Sequence, residues 1–135
     1  MANVILDTGP LVALFKRNDH HHRRAIDWFE RNGARLLTTL PVLTEAWHLV
    51  APSTRLKLST FCARALTVPD LGEDAVSRID AILGQYADNR MDFADASLAL
   101  LAERSNTLAL ATIDLGDFAT FRLSSGKRFR LVFQS

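Results

Sequence analysis

Four acidic residues stand where the neighbouring sequence sets them against apolar structure. Asp7 directly follows the run Val4-Ile5-Leu6 and precedes Thr8-Gly9-Pro10. Glu45 lies inside Pro41-Val42-Leu43-Thr44-Glu45-Ala46-Trp47. Asp95 opens Asp95-Ala96-Ser97-Leu98-Ala99-Leu100-Leu101, and Asp114 ends Leu110-Ala111-Thr112-Ile113-Asp114. Carboxylates in such settings need hydrogen bonds, cations or a metal to stay ionised. Converging, the four would make a hard, oxygen-lined site suited to Mg²⁺ or Mn²⁺. Such a site favours phosphoryl transfer, with water rather than a side chain as the attacking group.

Each acid also has a plainer reading. Asp7 is placed to be the N-cap of a helix beginning near Gly9 or Pro10. Thr8 offers a hydroxyl either to that site or to the turn. Glu45 sits in a helix that is apolar on most sides, so it faces a polar cleft or reaches for solvent. Asp92 and Asp95 lie one helical turn apart; Asp92 suits the N-cap and Asp95 the N3 position, which leaves Asp95 as the favoured ligand. Asp114 and Asp117 pose a similar choice. Asp114 stands at a strand end and is favoured, whereas Asp117 follows Gly116 and could cap a turn. Thr8, Asp92, Thr112 and Asp117 are therefore auxiliary candidates.

Rival constellations are weak. Consecutive residues on a helix diverge by about 100°, so His20-His21-His22 does not converge on one ion and reads as a solvated helix start. His48 follows Glu45 by three residues and reads as a surface or core histidine. Cys62 has no second cysteine to pair with and reads as core. The chain has no Walker pattern, no G-x-S-x-G and no phosphate-cradling glycine loop.

The elements that must carry the acids alternate between strand and helix. Strands are expected at 3–6, 35–38, 107–113 and 129–133, with a weak candidate at 67–70. Helices are expected from Pro10 to Phe15, from an Asp19 cap to Glu30, from Pro41 through Glu45, and at about 54–66, 73–86 and 93–104. Strands separated by helix pairs predict an α/β fold with a mainly parallel sheet covered on both faces. In such sheets, sites gather at the carboxyl ends of strands, where Asp7 and Asp114 stand.

With 135 residues, no repeat and no low-complexity linker, residues 1–135 are expected to form a single domain. The composition, 48% hydrophobic and 23% charged, excludes a disordered chain. No stretch approaches the apolar length of a membrane span, and the N-terminus lacks the charge pattern of a signal peptide, so the cytoplasm is the expected location. A net charge of +1 does not betray a nucleic-acid partner.

The ordered set Ile5-Leu6-Asp7-Thr8-Gly9-Pro10-Leu11-Val12-Ala13-Leu14, Thr44-Glu45-Ala46, Asp92-Phe93-Ala94-Asp95-Ala96-Ser97-Leu98, Ala102-Glu103-Arg104 and Ala111-Thr112-Ile113-Asp114 with Asp117-Phe118 resembles the PIN-domain family, in particular its VapC-type toxins. The resemblance runs over nearly the whole chain. It implies a three-layer α/β/α fold and a metal-dependent endoribonuclease whose four acids match Asp7, Glu45, Asp95 and Asp114. It also implies an RNA substrate, a cognate antitoxin protein and a homodimer. Where the family commonly has a glycine after the third acidic helix, this chain has Ser105-Asn106, and Asn tolerates the same left-handed backbone. Arg17, Arg23, Arg24, Lys127 and Arg128 are the nearest candidates in sequence for holding RNA, although charge groups of this kind more often read as ordinary solvated faces. Two other functions compete. One is a PIN-like module that binds RNA or protein without cutting. The other is a phosphatase with an aspartate nucleophile, which is disfavoured because Gly9 stands where the second aspartate belongs.

Overall fold

A computed structural model of the protein describes residues 2–116 and 118–133. Its centre is a five-stranded, wholly parallel sheet in the order β3-β2-β1-β4-β5. The strands are β1 (Asn3–Leu6), β2 (Arg35–Leu37), β3 (Leu66–Thr67), β4 (Ala109–Ala111) and β5 (Arg130–Leu131). Helices α1 (Thr8–Leu14) and α2 (His22–Arg31) cross from β1 to β2; α3 (Leu40–Leu49) and α4 (Arg55–Ala65) cross from β2 to β3. Helices α5 (Ala75–Gln85) and α6 (Phe93–Ser105) then carry the chain past both strands to the far side of β1, where β4 pairs.

Strand alternation explains why both faces are covered. Successive side chains point to opposite faces. Ile5, Leu37 and Leu110 accordingly enter one core with Ile79 of α5 and Leu98 and Leu101 of α6. Val4, Leu6, Leu36, Ala109 and Ala111 enter the other with Leu11 of α1, Ala25 of α2 and Leu58 of α4. Helix α6 is buried from Ala94 to Ala102, and its small Ala96 and Ala99 let α3 and α5 lie close. This is the three-layer α/β/α arrangement the sequence predicts.

The boundaries differ from the sequence reading in a consistent direction. The strand expected at 107–113 is Ala109–Ala111, and the one expected at 129–133 is Arg130–Leu131. Each is limited by what its neighbour pairs with, which an apolar run does not reveal. Asp19 does not cap α2. Its carboxylate accepts from the backbone N–H of His21 (2.8 Å), and α2 begins at His22. Asn106 closes α6 in the left-handed region at φ 51°, as the Gly-to-Asn exchange predicts. Among the described residues, no helix is long and apolar enough to cross a membrane.

Candidate functional site

The sheet order changes direction between β1 and β4: β2 and β3 extend to one side of β1, while β4 and β5 extend to the other. At such a switch point the connections leave in opposite directions and open a crevice beyond the carboxyl ends of the strands. Here the crevice is a cleft of about 600 Å³, and Asp7, Glu45, Asp95 and Asp114 all line it, together with Thr8 and Asp92.

Asp7 is held at the centre from several sides. Its backbone N–H donates to Ala111 O of β4 (3.0 Å), which continues the β1–β4 ladder by one residue. The carboxylate caps α1, with Oδ1 accepting from Thr8 N–H at 2.7 Å, while Oδ2 accepts from the Thr112 hydroxyl at 2.7 Å. The cap reading and the cleft reading of Asp7 therefore describe the same side chain. Behind it, the Thr38 hydroxyl donates to Leu6 O (2.8 Å), fixing the strand end against β2.

Asp92 and Asp95 form a reciprocal capping box at the start of α6. Asp95 N–H donates to Asp92 Oδ1 at 2.8 Å, and Asp92 N–H donates to Asp95 Oδ2 at 3.1 Å. Asp95 thus braces the helix start and faces the cleft at once. Thr39, at the start of α3, shares a 2.7 Å hydrogen bond with Ser97 of α6, which ties the helix carrying Glu45 to the helix carrying Asp95. Asp114 lies three residues beyond the last β4 residue rather than at the strand end. Its N–H donates to Thr112 Oγ1 (3.0 Å), so Thr112 links Asp7 and Asp114 directly. Asp117 falls outside the described residues.

Electrostatics follow from this crowding. Burial pushes the Asp7 carboxyl up to about 6; the Thr112 and Thr8 hydrogen bonds work against the shift, and the charges of Glu45 and Asp114 add to it. Asp95 is also raised, first by burial and further by the charges of Asp92 and Asp7. The donor set suits a hard divalent cation, and Thr8 Oγ1 is buried beside it without a hydrogen-bond partner among the described residues. Among those residues no three His, Cys, Asp or Glu side chains already meet as a coordination shell. The acids share the cleft without closing into such a shell.

Sequence reasoning missed part of the cleft wall. Lys16, Asp19 and His21, from the α1–α2 turn, and Arg90, from the α5–α6 connection, also line it. None of Arg17, Arg23, Arg24, Lys127 or Arg128 does. Arg24 instead lies over the Phe133 ring at 5.7 Å. The signal that could have found Lys16 is its place just past the C-cap of the short helix that Asp7 caps; Arg90 is marked only by its nearness to Asp92. His48 borders an apolar hollow beside Glu45, and Cys62 is buried with its thiol pushed up to about 11 by desolvation, so neither joins the acids.

The PIN domain profile matches residues 4–121. The chain belongs to the PIN-domain family. It is 25% identical over 134 residues to Ribonuclease VapC26 of Mycobacterium tuberculosis, covering 96% of this chain and 99% of that one. Its fold is similar to that of Mycobacterium tuberculosis VapC20, a toxin that cleaves the sarcin–ricin loop (TM-score 0.78, 19% identity, 86% of this chain and 92% of that one). It is also similar to a chain of the DNA-bound VapBC complex of Salmonella typhimurium (TM-score 0.65, 20% identity, 97% and 98% covered) and to one from a toxin–antitoxin complex of Klebsiella pneumoniae (TM-score 0.67, 19% identity, 87% and 92% covered).

Proposed function

We propose that this protein is an endoribonuclease, the toxin of a toxin–antitoxin pair, folded as one domain over its 135 residues, with Asp7, Glu45, Asp95 and Asp114 as the acids that hold Mg²⁺ or Mn²⁺. The observation that carries this reading is the meeting of all four acids in one cleft at the switch point of the sheet. Their order along the chain matches the PIN-domain pattern, and the ribonuclease relative aligns over nearly its whole length. A bound divalent ion would supply a water of lowered pKa and offset charge on the scissile phosphate.

The chain's own residues have definable tasks. Asp7, at the centre, is kept partly ionisable by the hydrogen bonds from Thr8 and Thr112. Asp95 is aimed by its capping box and Asp114 by Thr112. Thr8 lines the same cleft, and its buried hydroxyl, without a partner among the described residues, would be available to a ligand bound beside Asp7. The antitoxin is proposed from the toxin–antitoxin assemblies of the structural relatives.

Incubation of labelled RNA with the full chain in Mg²⁺ or Mn²⁺, against EDTA, tests the reading. Cleavage should require metal and should fall by more than about 100-fold in Asp7→Asn, since even outer-shell partners of metal ligands are worth roughly 10–100-fold. A folded Asp7→Asn protein that cuts at the wild-type rate would overturn the assignment. RNA binding without cleavage in either metal would favour the binding-module reading.

A further inference from the structure

Resting on the ribonuclease reading, we propose that Lys16 and Arg90, from two separate connections lining the acidic cleft, form a pair of phosphate clamps that hold the RNA backbone flanking the scissile bond. Among the described residues, six carboxylates line this cleft (Asp7, Asp19, Glu45, Asp92, Asp95 and Asp114), and the two full cations on its walls are Lys16 and Arg90. A polyanion entering such a cleft is repelled except where cations stand. Both side chains are exposed. Among the described residues, the ion pair within 4.0 Å is Arg104–Asp74, so neither cation is consumed by the acids that surround it.

Both residues also sit on braced backbone. The turn that begins at Lys16 is closed by Asp19 N–H donating to Lys16 O (2.9 Å), His22 N–H donating to Asp19 O (3.1 Å), and the His21 N–H bond to the Asp19 carboxylate. His22 Nδ1 lies 2.7 Å from Ala13 O, which locks the start of α2 to the end of α1. On the other side, Asn89 N–H donates to Tyr86 O (2.9 Å) and Asn89 Nδ2 to Thr120 Oγ1 (2.6 Å), immediately before Arg90. The capping box fixes the chain two residues after it. Two exposed cations on braced loops, both lining a cleft of carboxylates, can grip a backbone beside the acids rather than among them. Their identity as charges, rather than their shape, is what the role needs.

The salt dependence of RNA binding tests this. The probe is a fluorescein-labelled single-stranded RNA oligonucleotide of mixed sequence, titrated with the full-length Asp114→Asn protein in Mg²⁺ at several salt concentrations. Each phosphate contact to a single strand contributes about 0.7 to the slope of log Kobs against log salt concentration. Lys16→Ala and Arg90→Ala should each lower that slope by about 0.7, while Lys16→Arg, Arg90→Lys and the distant Arg78→Ala should leave it unchanged. In the cleaving protein, the two alanine variants should raise KM while kcat is largely retained. Unchanged slopes for Lys16→Ala and Arg90→Ala, or an equal loss in Arg78→Ala, would overturn the clamps. Loss of cleavage in Asp7→Asn alongside unchanged slopes would sink the clamps and leave the ribonuclease reading standing. Slopes that fall as expected in a protein that never cuts would do the reverse.

Discussion

Thr112 shows how one hydroxyl can govern a carboxylate cluster. It donates to Asp7 and accepts from the backbone of Asp114, and its bond to Asp7 lowers a pKa that burial raises. Thr112→Val should push the Asp7 value above about 6 and move the acid limb of metal-dependent cleavage to higher pH, with a rate loss of roughly 10–100-fold near neutrality. A pH–rate profile unchanged from wild type would refute it. The same shifts set the stability of the metal-free chain. A carboxyl that ionises less readily when folded contributes stability that is fully present below its unfolded pKa of about 3.9 and is lost as pH rises through the folded value. For Asp7 that window runs up to about 6, and the raised Asp95 acts in the same direction. A divalent cation binds the ionised forms, so the gap in Tm between EDTA and Mn²⁺ should widen from about pH 5 to about pH 8 and shrink strongly in Asp7→Asn. Parallel melts that differ by a constant amount at every pH would show that the acids do not act together. The four acids were legible in the sequence because each abuts an apolar run. Lys16, Asp19 and His21 were not, because their approach to Asp7 depends on how tightly one turn folds back.

Elements bring these residues into register, and two of their devices are open to mutation. Gly9 is needed for space rather than for an unusual φ: a Cβ there would stand 3.1 Å from Ile113 Cδ1 and 3.2 Å from Ile113 Cβ. Gly9→Ala should therefore press the start of α1 away from the segment carrying Asp114, lowering both Tm and cleavage. Ile113→Val in the same chain should restore part of each by removing Cδ1. A fully active, equally stable Gly9→Ala protein would show that the contact yields freely. At α6, Asp92→Ala should cost about 1 kcal/mol by loss of the cap, and Asn106→Val about 1–2 kcal/mol for a left-handed backbone; denaturant melts measure both. The capping box was readable from local spacing, and the Asn106 turn from the family resemblance, which puts a glycine there. Strand ends were not, since Asp114 lies past β4 and a strand stops where its neighbour ceases to pair.

At the scale of the molecule, the alternating strand and helix pattern was enough to give a parallel sheet with two cores, because each crossover must lie on a face. The strand order, and with it the crevice between β1 and β4, needed the pairing itself. The surface left over is uneven: Leu40 (65% exposed), Val76 (69%) and Phe93 (46%) stand out around neighbouring hollows that share Phe93. Large apolar groups gathered in this way mark an interaction site. The homodimer implied by the family resemblance should use this face. Phe93→Glu should convert a dimer to a monomer in sedimentation equilibrium, and a monomeric wild type would exclude the arrangement.

The hydrogen bond between Thr112 and Asp7 joins residues 105 positions apart. Its length along the chain has a bearing on when the cleft can exist at all. Synthesis proceeds from the N-terminus, so β1, β2 and β3 emerge and can begin to pair while α6 and β4 are still to be made. Asp7 and Glu45 then lack Asp95 and Asp114, and the ladder bond from Asp7 to Ala111 has no acceptor. Closing so long a separation comes late, because its entropy must be met before the contact rewards it. A chain still held by the ribosome therefore keeps its four acids apart, and the cleft takes shape only once β4 has emerged and paired with β1.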